Sequence, residues 1–178
     1  DQRDNRAAAA ALASGRRVLD VYCYAGGFGV LTAMAGAASG TLVDRSKSAL
    51  DLAMRAASAN GVGDRVETRK SDGFAALERL AKDGARFDLV ICDPPAFAKA
   101  RKDVQVAEKA YRKLARLAAG VVETEGWLVL GSCSQPIDEP TFRKACARGI
   151  AEAKRPARLI RSAGAAADHP RHPFLDES

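Results

Sequence analysis

The sequence predicts an α/β fold with a largely parallel sheet and helices on both faces. Three observations carry that expectation. Apolar runs of strand length alternate with stretches of helical periodicity along the whole chain. The runs that end at 23, 44, 92 and 133 stop at turns carrying glycine, acid, proline or hydroxyl groups, where a buried parallel strand would open onto a crevice. At 178 residues, 47% of them hydrophobic, the chain is large enough for one domain with a core of its own.

Taken in order, the alanine run at 7–11 reads as ordinary helix, residues 17–23 as the first strand and 29–37 as the helix after it. Residues 41–44 form a short second strand. The helix over 47–60 places Leu50, Ala53, Met54 and Ala57 on one face. Asn60-Gly61 closes it, because glycine takes the left-handed conformation without a Cβ penalty. A third strand is expected at 65–69, a helix at 74–82 and the fourth, most apolar strand at 87–92. A basic loop leads to a long helix over 105–123. Residues 126–133 make a fifth strand, 139–153 a helix and 157–161 a weaker strand, with loop expected over 168–178.

Composition excludes several classes. No apolar run approaches the roughly 20 residues that cross a bilayer, so no membrane partner is expected. The charged N-terminus lacks the compact apolar segment of a signal peptide. The four cysteines, Cys23, Cys92, Cys133 and Cys146, show no Cys-x-x-Cys spacing and lie far from His169 and His172, so no metal is expected. Cys23 and Cys92 fall inside strands, where small buried hydrophobes are the favoured interpretation. A reducing cytoplasm suits all four. The net charge of +6 permits a polyanionic partner such as RNA without requiring one. The chain begins at Asp1 rather than methionine and is expected to be a fragment of something longer.

In open α/β sheets ligands sit beyond the carboxyl ends of the strands. The first such end is Asp20-Val21-Tyr22-Cys23-Tyr24-Ala25-Gly26-Gly27-Phe28-Gly29, whose glycines allow a tight turn and close approach. Asp44 ends the next strand, about 20 residues on, where an acid commonly grips two ribose hydroxyls. At Ser71-Asp72-Gly73-Phe74 a carboxylate could accept from an adenine amino group and Phe74 could stack. Together these point to a nucleoside-containing cofactor. NAD competes, but Gly27-Phe28-Gly29 is not followed by a third glycine, since Thr32 stands there. S-adenosylmethionine needs no pyrophosphate cradle and is favoured. Asp44 and Asp72 could equally cap the helices that follow, and one residue can do both.

Asp93-Pro94-Pro95-Ala96-Phe97 is more specific. Two prolines stiffen the turn and set the Asp93 carboxylate at a strand tip. Related Asn-Pro-Pro-Tyr segments hold amines that are to be methylated, but here the aromatic comes one place later. Cys133, between Ser132 and Ser134, suits attack on carbon-6 of a pyrimidine, which makes carbon-5 nucleophilic enough to take a methyl group. In isolation it would be a core cysteine; its hydroxyl neighbours and the Asp-Pro-Pro turn reverse that preference. Lys99, Arg101, Lys102, Lys109, Arg112, Lys113 and Arg116 form a basic stripe fit for RNA phosphates, with a solvated helix face as the equal alternative. Asp168-His169-Pro170 reads as loop.

With Asp1-Gln2-Arg3-Asp4-Asn5-Arg6, Tyr24-Ala25-Gly26-Gly27-Phe28, Val43-Asp44-Arg45-Ser46, Asp93-Pro94-Pro95-Ala96-Phe97, Ser132-Cys133-Ser134 and Ala167-Asp168-His169-Pro170, the chain resembles a known family. These are the class I S-adenosylmethionine-dependent cytosine-5 methyltransferases of bacterial large-subunit ribosomal RNA, the type with an N-terminal PUA domain. The resemblance spans nearly the whole chain. It implies a Rossmann-like methyltransferase domain over 1–178, with Cys133 as nucleophile and Asp93 steadying the cytosine amino group or protonated ring nitrogen. Tyr24, Gly26, Asp44 and Asp72 would surround S-adenosyl-L-methionine, and the opening Asp-Gln-Arg segment would lie near cofactor or substrate. The implied partner is large-subunit ribosomal RNA; the sequence leaves the oligomeric state open, with a homodimer among the options. A PUA domain before Asp1 and a last strand after Ser178 are expected outside these residues. Two rivals stand beside this expectation. One is a methyltransferase of guanine or a small molecule, and the other a non-catalytic module that binds cofactor or RNA.

Overall fold

A computed structural model describes residues 2–164 and 166. Five parallel strands form one sheet in the order β3-β2-β1-β4-β5. They are β1 (Arg17–Val21), β2 (Ser39–Asp44), β3 (Val66–Lys70), β4 (Phe87–Cys92) and β5 (Val122–Leu130). The helices are α1 (Arg3–Ala11), α2 (Gly27–Met34), α3 (Lys47–Ala59), α4 (Gly73–Lys82), α5 (Val104–Val121) and α6 (Glu139–Glu152). This is the expected α/β architecture of the Rossmann-like kind, with right-handed crossovers as the rule for such connections.

Strand periodicity assigns the two faces. Leu19, Val21, Val90 and Cys92 point to one side, where they pack with Leu77 and Leu80 of α4 and Leu114 and Leu117 of α5. Val18, Leu89 and Ile91 point to the other, against Ala9 of α1 and Phe28 of α2. Leu42 and Val66 join Val30, Leu50, Ala53 and Ala57 under α2 and α3. α6 lies on α5 through Tyr111, Ala115, Ala145 and Cys146. Gly149 lets those two helices close, since a Cβ there would strike the backbone of Arg112.

Local signals explain the boundaries. Ser46 caps α3 by accepting from the Ala49 amide at 3.3 Å, and Gly61 follows that helix with φ +71°. Asp72 caps α4, accepting from Phe74 and Ala75 at 2.9 and 3.2 Å. β1 stops at Val21, two residues before its expected end, because Tyr22 turns to a φ of 65°. β5 begins and ends earlier than its apolar run suggests, so Ser132 and Cys133 lie beyond the strand rather than within it.

One expected element is absent. Residues 157–161 form no strand, and Leu159 and Ile160 are 66% and 70% exposed. Adjacent residues of a strand face opposite sides, so these two apolar side chains cannot share one buried face, and their flanking arginines keep the segment solvated. The tail expected at 168–178, with Asp168-His169-Pro170, lies outside the described residues.

Two substitutions separate core from surface. Leu89→Ala, at a fully buried position, is expected to cost about 2–5 kcal/mol. Leu159→Ala is expected to change stability by less than about 0.5 kcal/mol. Urea unfolding of both variants reads the difference; a comparable loss for Leu159→Ala would mean that its segment packs on the sheet after all.

Candidate active site

The strand order reverses between β1 and β4, and the crevice opens at their carboxyl ends. On the β1 side the chain passes through Tyr22 and Tyr24, with φ of 65° and 49°, conformations uncommon for residues with a Cβ. Gly26 follows at φ +80° as the residue before α2, with Ala53, Val30 and Leu42 close against its Cα. A side chain there would collide with the core, so the glycine is required twice over. Asp44 fastens the turn from the next strand. One carboxylate oxygen accepts from the Tyr24 amide at 2.9 Å and the other from the Ser46 amide at 2.8 Å. It is therefore not the cap of α3, a role that Ser46 takes, and each oxygen keeps a lone pair for a ligand hydroxyl.

Beneath the turn lies Asp20, 1% exposed, which accepts from the Gly29 amide at 2.8 Å. Its other oxygen has no partner among the described residues. Burial, with smaller contributions from the charges of Asp93 and Asp44, pushes its carboxyl up to about 7. The Tyr22 hydroxyl is likewise buried without a partner, and its ring covers the backbone of Gly73.

On the β4 side Asp93 sits immediately past the strand, its carboxylate lying over Gly131 where any side chain would displace it. Gln2 donates to Asp93 Oδ1 at 3.2 Å, so the N-terminal segment closes this end of the crevice. Burial raises the Asp93 pKa, and the positive charge of Arg6 works against that rise. Cys133 is exposed, and its thiol donates to the Pro94 carbonyl at 3.7 Å, next to Asp93 on the stiff turn. The thiol is raised above its ordinary value, mainly by burial and then by the Asp93 charge, so it rests protonated. The other three cysteines are buried, as expected for Cys23 and Cys92.

The two loops are bolted together from behind. Ser134 Oγ accepts from the Phe97 and Ala98 amides at 2.9 and 3.2 Å, and Tyr111 of α5 meets Ser132 and Ser134 at 2.7 and 2.8 Å.

All seven residues singled out in the sequence thus lie on one edge of the sheet. Tyr24, Gly26 and Asp44 gather at the ends of β1 and β2, Asp72 and Phe74 at the end of β3, and Asp93 and Cys133 beyond β4 and β5. Phe74 is already engaged: Phe97 stacks on it at 5.9 Å and the Lys113 ammonium stands 5.0 Å over its ring. A nucleobase stacking there would have to displace Lys113. Sequence reasoning did not single out Asp20, Tyr111 or Gln2 individually. An acid inside Val18-Leu19-Asp20-Val21, and a phenol on the apolar face of α5, were the available signals.

Acids at successive strand ends and a glycine turn at the reversal point are the features by which α/β domains bind nucleosides. The family model for S-adenosylmethionine-dependent methyltransferases matches residues 1–159, and the chain belongs to that family. It is 37% identical over 172 residues to ribosomal RNA large subunit methyltransferase I of Aeromonas hydrophila, covering 96% of this chain and 43% of that protein. The protein of the same name from Photobacterium profundum is 38% identical over 171 residues, with the same coverage of 96% and 43%. The chain therefore spans less than half the length of these relatives. Among solved structures, SMU.776 complexed with SAH superposes with a TM-score of 0.75 at 27% identity, over 84% of this chain and 40% of that one.

Asp20 makes stability depend on pH. Its folded pKa lies above the unfolded value of 3.8, so its contribution is complete below that value and is lost as pH rises through about 7. Asp20→Asn removes this titration while keeping an acceptor for Gly29. Thermal melts between pH 4 and pH 8 should show the variant gaining on wild type by on the order of 1–3 kcal/mol. A gap that does not vary with pH would show that Asp20 keeps one protonation state throughout.

Proposed function

We propose that this domain methylates carbon-5 of a cytosine in large-subunit ribosomal RNA, through a transient bond between Cys133 and the base. The observation that carries this is the meeting of an exposed thiol and a half-buried carboxyl at one crevice mouth, joined through the Pro94 carbonyl. The names of the curated relatives support the RNA substrate.

The residues present fit S-adenosylmethionine. Acceptors dominate the β1–β3 side: Asp44 has lone pairs to spare, Asp72 Oδ2 is outside the cap of α4, and Asp20 Oδ1 is orphaned beneath the glycine turn. Such a set matches ribose hydroxyls and amino groups. Tyr24, Gly26, Asp44, Asp72 and Phe74 would hold the cofactor, which when bound supplies a methyl group activated on a positively charged sulfur.

The chain's own residues do the rest. Cys133 gives its proton to solvent water as the substrate settles and its sulfur adds to carbon-6 of the ring, placing electron density on carbon-5. Asp93, whose carboxyl is raised by burial and so favours its protonated form, holds the amino group or gives a proton to the ring nitrogen, which neutralises the charge that the addition creates. Once carbon-5 carries the methyl group, solvent water takes its proton; the double bond is restored as the ring nitrogen returns its proton to Asp93 and the cysteine is expelled. The target base must leave its stack to reach Cys133, at a cost of a few kcal/mol.

Phosphate contacts can repay that cost. Lys109, Arg112, Lys113 and Arg116 line the groove beside Glu152 along α5, and Lys99, Arg101 and Lys102 are exposed in the segment that leads from the Asp93 turn into that helix. Arg112 pairs with Glu152 and Lys113 with Glu78, so part of the stripe is already neutralised. The chemistry does not require a homodimer.

RNA containing 5-fluorocytosine tests the thiol: wild type is expected to form an adduct stable to denaturing electrophoresis, and Cys133→Ala none. An adduct retained by the alanine variant would remove Cys133 from the chemistry, and methylation of a different base would favour the guanine alternative. Calorimetry tests the cofactor side, where Asp44→Ala is expected to weaken S-adenosylmethionine binding about tenfold or more, the loss of a charge-assisted contact. Undiminished binding would move the ribose away from Asp44.

A further inference from the structure

Ser134 Oγ is 4% exposed at the residue level and already accepts two amide hydrogens, from Phe97 at 2.9 Å and Ala98 at 3.2 Å. A hydroxyl has two acceptor positions and one hydrogen. Both positions being filled, the Ser134 hydrogen must go to Tyr111, 2.8 Å away. The Tyr111 hydrogen then has one remaining acceptor, Ser132 Oγ at 2.7 Å, which also takes the Ser134 amide at 3.3 Å. The relay has a single direction, Ser134 to Tyr111 to Ser132. It leaves the Ser132 hydrogen as the one unassigned donor, beside Cys133.

We propose that Tyr111, buried behind the two loops, is the positioning residue that sets the spacing between Cys133 and the Asp93 turn. Its hydroxyl joins both serines flanking the thiol, and Ser134 in turn holds the backbone of the turn that carries Asp93. The ring is wedged between Phe97 at 4.8 Å and Phe142 at 4.9 Å, so the phenol cannot follow a wandering loop. Small displacements of an attacking atom cost large factors in rate. The proposal rests on Cys133 being the group that attacks the base.

Tyr111→Phe keeps the wedge and removes the relay. Alkylation of Cys133 by iodoacetamide, followed by peptide mass analysis across pH without RNA or cofactor, reads the thiol directly. In the variant the loosened thiol moves away from Asp93 and towards water, so the midpoint of its pH profile is expected to fall by about half a unit or more. The buried Cys23, Cys92 and Cys146 serve as the control and stay protected. In methyl transfer, kcat is expected to fall about tenfold or more with KM and cofactor affinity unchanged. Ser134→Ala cuts the same relay and also releases the Phe97 and Ala98 amides, so it should shift the profile at least as far, with no further change in the double variant beyond Ser134→Ala alone. A Cys133 profile that coincides with wild type, additive effects of the two substitutions, or exposure of all four cysteines together would overturn the proposal. Failure of the cytosine assignment shows separately, as absence of the 5-fluorocytosine adduct with the alkylation shift intact.

Discussion

The register of β1 between its two neighbours is the constraint on which everything else hangs. Val21 is level with Val43 on one side and Cys92 on the other, and Cys92 is level with Leu130. Parallel pairing forces every connection to return through a helix, so all carboxyl ends emerge on the same edge. Tyr24, Asp44, Asp93 and Cys133 each follow within a few residues of those ends, or close them. A one-residue slip would turn every side chain of the slipped strand to the opposite face and send Asp20 or Cys92 to the wrong core.

Electrostatics follows from that convergence. Asp20, Asp44 and Asp93 are near enough for the other two charges to raise Asp20, and Asp93 also raises Cys133. Arg6 is a counter-charge that reaches Asp93, delivered from α1 rather than from the sheet. A crevice poor in neutralising cations favours a cationic ligand on one side and a neutral resting thiol on the other. The price is stored locally, in oxygens of Asp20 and Tyr22 that have no partner among the described residues and in left-handed backbone at Tyr22 and Tyr24.

Much of this was visible in the residues. β4 was legible to the residue, because an apolar run broken only by Asp88 and bounded by Arg86 and Asp93 admits one placement. The caps at Asp72 and Gly61 were legible because capping is a local competition between a side chain or glycine and the backbone. The shared placement of the candidate residues was legible because each stands at or just beyond a strand end. Two things were not. The run at 157–161 has strand-like composition, but pairing depends on an available edge and a face to bury, neither of which is local. Tyr111 lies on α5 with nothing in its neighbourhood to distinguish a phenol that spans two loops from one that fills a core.

The sequence by itself determined the alternation of elements, the chemical inventory of the crevice and the family to which the chain belongs, since periodicity, turn chemistry and motif are properties of neighbouring residues. Only the tertiary structure decided that Asp44 holds the glycine turn instead of capping α3, that the Cys133 thiol faces the Pro94 carbonyl, and that Tyr111 ties the loops together. Each of those is a hydrogen bond between partners about 20 or more residues apart, and no local pattern encodes which donor will find which acceptor once the sheet has closed.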